Sequence, residues 1–106
     1  SGIFTFPQTG IYLLMSQHAM NTSASSCGVQ MRISTDSGSN YTTVSYGQIT
    51  NTNNGYHQMS LHAVVDIQNA STYRFGLRAL NTANVQYSGD SDSLRNGVTF
   101  IRLGDT

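Results

Sequence analysis

The chain has no Lys, no Glu and no Trp, a single Pro and a single Cys among 106 residues, and only 9% of it is charged. Each scarcity excludes something. Five Arg are balanced by five Asp and scattered from Arg32 to Arg102, so neighbouring residues build no basic patch of the kind that holds a phosphate backbone, and no nucleic-acid partner is expected. One cysteine, Cys27, forms no internal disulfide, and any metal site would need ligands other than Cys. The longest apolar runs, such as Ile11 to Met15, fall far short of the roughly 20 residues that span a bilayer. Ser1-Gly2-Ile3-Phe4 has no basic region followed by a signal core. No membrane insertion is expected. Disorder is not expected either: disordered chains are rich in charge and Pro, whereas this one carries six Tyr, four Phe and regularly spaced aliphatics.

What fills the chain is uncharged polarity and alternation. Ser, Thr, Asn and Gln together make 42 of the residues. In Val29-Gln30-Met31-Arg32-Ile33 the apolar side chains fall on odd positions and the polar ones on even, the period of a strand with one face buried. Tyr73-Arg74-Phe75-Gly76-Leu77-Arg78-Ala79 repeats it, and Met59 to Ile67 keeps Met, Leu, Ala, Val and Ile on one parity. Turn-forming clusters separate such segments: Pro7 to Gly10, Asn21 to Gly28, Asp36 to Asn40, Asn51 to Gly55, Asn69 to Ser71, Asn81 to Asn84 and Ser88 to Ser93. Seven breaks predict about eight strands, no stretch has helical spacing, and no linker divides the chain. The expectation is a single all-β sandwich over 1–106. Its core is expected from Ile11, Leu13, Met31, Ile33, Leu61, Val65, Phe75, Leu77 and Phe100. Ile11 to Met15 and Val98 to Leu103 are apolar on both parities, so a second copy of the chain is the simplest cover for their outer faces, with a loop of the same chain as the alternative.

Phe4-Thr5-Phe6-Pro7-Gln8-Thr9-Gly10-Ile11-Tyr12 resembles the segment of C1q/TNF-like domains in which a short strand, a Pro-containing turn with Gly and a long strand follow one another. Cys27 to Ile33, Met59 to Ile67, Thr72 to Ala79 and Ser88 to Leu103 follow in the family's order. Asn96-Gly97-Val98-Thr99-Phe100-Ile101-Arg102-Leu103-Gly104 is similar to the closing strand of versions carried by phage and other viral fibre proteins. The resemblance implies an antiparallel jelly-roll sandwich without the family's first one or two strands, assembled as a homotrimer. It further implies a non-enzymatic attachment head of a virion, or an extracellular one, that binds a host-surface protein or glycan through loops and inter-protomer grooves. A structural trimerisation cap for a fibre and a secreted cellular recognition domain stay open beside it. In such a trimer Arg74 and Arg78, which alternate with Phe75 and Leu77, would meet the axis or a neighbour, as would Ile101 and Leu103.

Residues that could carry chemistry are few. None of the 14 Ser lies in a Gly-x-Ser-x-Gly turn, and without Glu a carboxylate pair would need two Asp. Asp90 and Asp92 are the close pair, able to coordinate calcium with loop carbonyls or to cap turns; no other cofactor is expected. His57 and His62 point to opposite faces of one strand, while His18 and His62 could meet across neighbouring strands. Cys27 reads as a small buried hydrophobe. Tyr41, Tyr56, His57 and Tyr87, set among Asn, Gly and Ser, combine stacking faces with uncharged donors and acceptors, a chemistry suited to sugars and protein surfaces.

Overall fold

The computed structural model describes residues 3–22, 26–50, 55–80, 85–87 and 96–106. Among them lie eight strands and no helix: β1 (Ile3–Thr5), β2 (Gly10–Thr22), β3 (Ser26–Ser34), β4 (Thr42–Thr50), β5 (Gly55–Ile67), β6 (Arg74–Leu80), β7 (Val85–Tyr87) and β8 (Gly97–Gly104). All pairings are antiparallel. One sheet has the order β1-β6-β3-β4; in the other, β2 lies between β5 on one side and β7 and β8 on the other. The alternating segments read from the sequence are the centres of β3, β5 and β6.

β2 is the spine of its sheet. It pairs with β5 over its whole length, from Gly10 opposite Ile67 to Thr22 opposite Gly55, and with β8 from Ile11 to Gln17. A turn at Pro7–Thr9 delivers the chain into it. Gly10 has φ 152°, and a Cβ there would stand 2.5 Å from Arg102 Nε and 2.7 Å from the Gly104 carbonyl oxygen, so only glycine fits where β8 ends against the turn. Arg102 Nε donates to the Thr9 carbonyl at 3.0 Å and ties the same corner.

The core lies between the sheets and joins Phe6, Tyr12, Leu14, Val29, Met31, Ile33, Leu61, Ile67 and Phe75. Four phenylalanines interlock at one end: the Phe100 ring lies 5.5 Å from Phe4, 5.7 Å from Phe6 and 5.3 Å from Phe75, and tilted or edge-on contacts dominate. The Tyr12 hydroxyl donates to the Gln8 carbonyl at 2.8 Å, so the ring is buried with its polar end satisfied. Of the expected core, Met31, Ile33, Leu61 and Phe75 are buried, and Val65, Leu77 and Phe100 pack on the cluster while staying half-buried.

The expectation for β2 is corrected. Ile11 and Leu13 lie on the outer face of the sheet, half-buried, and the inward row is Tyr12, Leu14, Ser16, His18 and Met20. The segment is apolar on both parities, so alternation inside it does not choose a face; the choice is made by ring packing of Tyr12 on Phe6, 5.1 Å apart, and by the register with β5. Replacing the fully buried Leu14 by Ala should therefore cost about 2–5 kcal/mol of unfolding free energy. Leu13→Ala, which opens no interior cavity, should cost clearly less in urea denaturation of the isolated chain, and equal losses would contradict the assigned face.

Candidate functional site

Three places hold chemistry that packing alone does not require: a polar cluster inside the sandwich and the two outer faces. The inner cluster arises because β2 turns even-numbered residues inward. Ser16 and His18, two residues apart on one face, are both buried, and His18 Nε2 lies 3.0 Å from the Ser16 hydroxyl oxygen. The Asn96 side chain hydrogen-bonds His18, and Asn96 Nδ2 donates to the Ala19 carbonyl at 2.9 Å. A serine, a histidine and an amide are thus in line, in the order of a nucleophile, a base and a residue that orients it. Two features oppose that use. Ser16 stands mid-strand with β5 on one side and β8 on the other, so the nearby backbone amides belong to the ladders and do not form an oxyanion pocket. Its hydroxyl is also buried.

Burial lowers the His18 pKa below its ordinary 6.5, against the opposing effect of the Asn96 hydrogen bond. Among the described residues the neighbours offer the imidazolium no countercharge: Met59 stands opposite on β5, and the cleft beside His18 is lined by Val29, Leu77, Ala79, Asn96 and Gly97. The serine–histidine pairing was not legible, because the sequence reading turned the other face of β2 inward; the i, i+2 spacing of Ser16 and His18 was its only signal. One layer further along, Cys27 Sγ donates to Met20 Sδ at 3.1 Å with both side chains fully buried. Burial also raises the thiol's pKa, which suits the apolar reading of this residue.

The outer face of the β5-β2-β8 sheet carries an apolar patch, with Asp66 and His62 among the polar residues beside it. Register places Leu13 between Val64 and Ile101, and Met15 between His62 and Thr99. Val64 is 64% exposed, Leu103 57% and Ile101 41%. Between these strands runs a shallow groove of about 450 Å³ floored by Leu13 and Met15.

The outer face of the β1-β6-β3-β4 sheet is polar and cationic. Arg78 stands opposite Gln30, Arg32 opposite Gly76 and Arg74 opposite Ser34, so three arginines that are scattered in sequence share one face. Arg74 Nη1 donates to the Ser71 and Tyr73 carbonyls. The Arg32 guanidinium lies 4.7 Å from the centre of the Tyr41 ring, and both its Nε and the Tyr41 hydroxyl are buried without a hydrogen bond. At the end of this face Asp36 closes the β3–β4 loop. Its carboxylate accepts from Ser34 Oγ, the Asn40 amide and Asn40 Nδ2, each at 2.8 Å, and these bonds pull its pKa down to about 2.

The sequence-predicted site residues fare differently. Tyr41 is half-buried against Arg32. His57 lies within β5 and not in a loop, on the parity that faces the interior, with Nε2 buried and without a hydrogen-bond partner. Tyr56 and Tyr87 fall on strands, but their side chains lie outside the described residues, as do Asp90 and Asp92. Among the described residues no group of three His, Cys or acidic side chains could hold a metal. His18 faces the interior and His62 is exposed on the outer face, so that pair does not meet. Arg74 and Arg78 lie on one side of the sandwich and Ile101 and Leu103 on the other, so these four do not form one continuous patch. Compared with known proteins, the chain matches no family model and no curated protein.

The buried imidazole sets a pH dependence. A folded pKa below the unfolded one means that the unfolded chain binds the extra proton first, so stability falls as the pH drops through 6.5 towards the folded value. Asp36, also depressed, loses its contribution in a lower window, from 3.8 towards 2. Urea midpoints should decline between pH 7 and pH 5, and His18→Gln, which keeps hydrogen-bonding capacity without a titrating ring, should flatten that decline. Persistence of the full slope in the variant would place its origin elsewhere.

Proposed function

We propose that the chain is a homotrimeric attachment head of C1q/TNF-like jelly-roll type, belonging to a viral or phage fibre and binding a host-surface protein or glycan. The observation that carries this reading is the contrast between the two outer faces. One carries an apolar patch with Val64, Ile101, Leu103 and Met15 exposed; the other presents arginine, tyrosine, glutamine and threonine. Exposed apolar area of this kind is what a second copy would cover, and a polar, aromatic face is what a ligand would meet.

The strand order supports the jelly-roll part of the reading. β1, β6, β3 and β4 form one sheet and β5, β2 and β8 the other, with the chain crossing between sheets after β1, β2, β4, β5 and β6. A C1q/TNF-like fold without its first strands would have this distribution. The inner Ser16–His18–Asn96 cluster then serves as structure: Asn96 bonds His18 and the Ala19 carbonyl and so fastens the start of β8 to β2. A virion surface or an extracellular setting follows from the same reading.

Light scattering near neutral pH should give a mass three times the 11.5 kDa chain. Val64→Asp and Leu103→Asp put an unpaired charge into the covered face and should reduce that mass to one chain while the circular dichroism of the fold is kept. A wild-type monomer would defeat the trimer. A trimer that attaches to no cell or cell-surface extract would leave the fibre-cap role in its place.

A further inference from the structure

On the polar face, a cleft of about 360 Å³ lies over Gly28. At its floor is Gly28, where a Cβ would stand 2.6 Å from the Gly47 carbonyl oxygen, so the depression is enforced by the β3–β4 approach. One wall is Arg78 and Leu80 from β6, and the other is Tyr46 and Gln48 from β4. The Tyr46 hydroxyl donates to Gln48 Oε1 at 2.7 Å, which turns the Gln48 amide so that its NH2 group is left to donate. Arg78 is exposed, and among the described residues it has no hydrogen-bond or ion-pair partner. No Asp lies on the described strands of this sheet. Asp36, in the adjoining loop, has both carboxylate oxygens engaged by Ser34 and Asn40.

We propose that this cleft binds a terminal carboxylated sugar of a host glycan, with Arg78 pairing the carboxylate, the Gln48 amide donating to a ring substituent and Tyr46 and Leu80 packing against the apolar side of the ring. The proposal rests on the attachment-head reading and names its ligand class. Charge complementarity is its first support. An unpaired guanidinium presents a planar fork that matches a carboxylate, and Arg32, one register step along the face, adds to the positive field. The volume is at the small end of ligand pockets, fitting one terminal residue and not an extended chain. The isolation of this one uncommitted cation among the described residues is the second support. A polyanion such as nucleic acid would need a continuous run of cations, whereas here Arg74 is committed to loop carbonyls and Arg32 to the Tyr41 ring. A sugar offers one charge, several hydroxyls and an apolar patch, which is the inventory the cleft matches.

The test is titration of the wild-type protein with sialyllactose, lactose and sulfated lactose, followed by nuclear magnetic resonance shifts or calorimetry at low and physiological salt. Saturable, salt-weakened binding of sialyllactose is expected, with lactose at least about tenfold weaker because it lacks the charge-assisted bonds. Arg78→Gln should weaken sialyllactose by about tenfold or more, Gln48→Ala should weaken it less, and Arg102→Gln, at the far corner, should leave it unchanged. Thermal melting of each variant separates loss of the site from loss of the fold. Equal affinity for lactose and sialyllactose, preference for the sulfated sugar, an unaffected Arg78→Gln protein, or no binding of any of the three sugars at millimolar concentration would each overturn the carboxylate assignment. Cell attachment measured in parallel keeps the two readings apart: attachment that survives removal of sialic acid leaves the head intact and removes this ligand, whereas no attachment to any cell removes the head itself.

Discussion

The burial of one face of β2 governs the rest of the structure. This strand is hydrogen-bonded on both sides, to β5 along its full length and to β7 and β8 on the other edge. Its inward row of Tyr12, Leu14, Ser16, His18 and Met20 runs along the interior of the sandwich. A one-residue slip would carry Tyr12 and Leu14 outward and break their contacts with Phe6 and the core cluster. Because the strand is apolar on both parities near its start, turning Leu14 inward leaves Ile11, Leu13 and Met15 outside. The apolar outer face is thus a direct consequence of the core's own packing, together with Val64, Ile101 and Leu103 of the flanking strands.

The same strand brings polar groups inside. Ser16 and His18 enter the core because their parity is that of Leu14, and their burial is tolerated since the imidazole meets the serine hydroxyl and the Asn96 side chain. Asn96 reaches the Ala19 carbonyl as well, so the cluster links the residue preceding β8 to the middle of β2. Where Met20 and Cys27 take over, the two sulfurs are in contact, with the inward-facing His57 opposite Met20. A gradient runs along the interior: aromatic rings at the Phe100 end, a satisfied polar cluster midway, and sulfur at the far end.

The other sheet separates its faces by strict alternation. Inward go Val29, Met31, Ile33 and Phe75; outward go Gln30, Arg32, Arg74 and Arg78. Pairing β6 with β3 aligns cations that lie more than forty residues apart in the chain, and pairing β4 with β3 sets Tyr46 and Gln48 beside them. Gly28 keeps the centre of this face low. A chain with zero net charge therefore carries a locally positive, aromatic-lined surface, backed on the opposite side of the sandwich by an apolar one. These unequal faces underlie the proposed division between assembly and recognition.

Alternation and turn chemistry alone determined that the chain is all-β and which way β3, β5 and β6 face, because polar and apolar residues alternate there without ambiguity. Composition likewise determined that the chain has no net charge and is rich in hydroxyls and amides. The face of β2 was left undetermined, since Ile11 to Met15 satisfies either parity; only packing against Phe6 and the register with β5 decided it. The Ser16–His18–Asn96 cluster and the cleft over Gly28 were hidden for a related reason. Each gathers residues from strands distant in the chain, and no local pattern records which distant strand becomes a neighbour. Pairing order and register are properties of the folded sheets, and they alone placed a free arginine beside an oriented glutamine and a tyrosine.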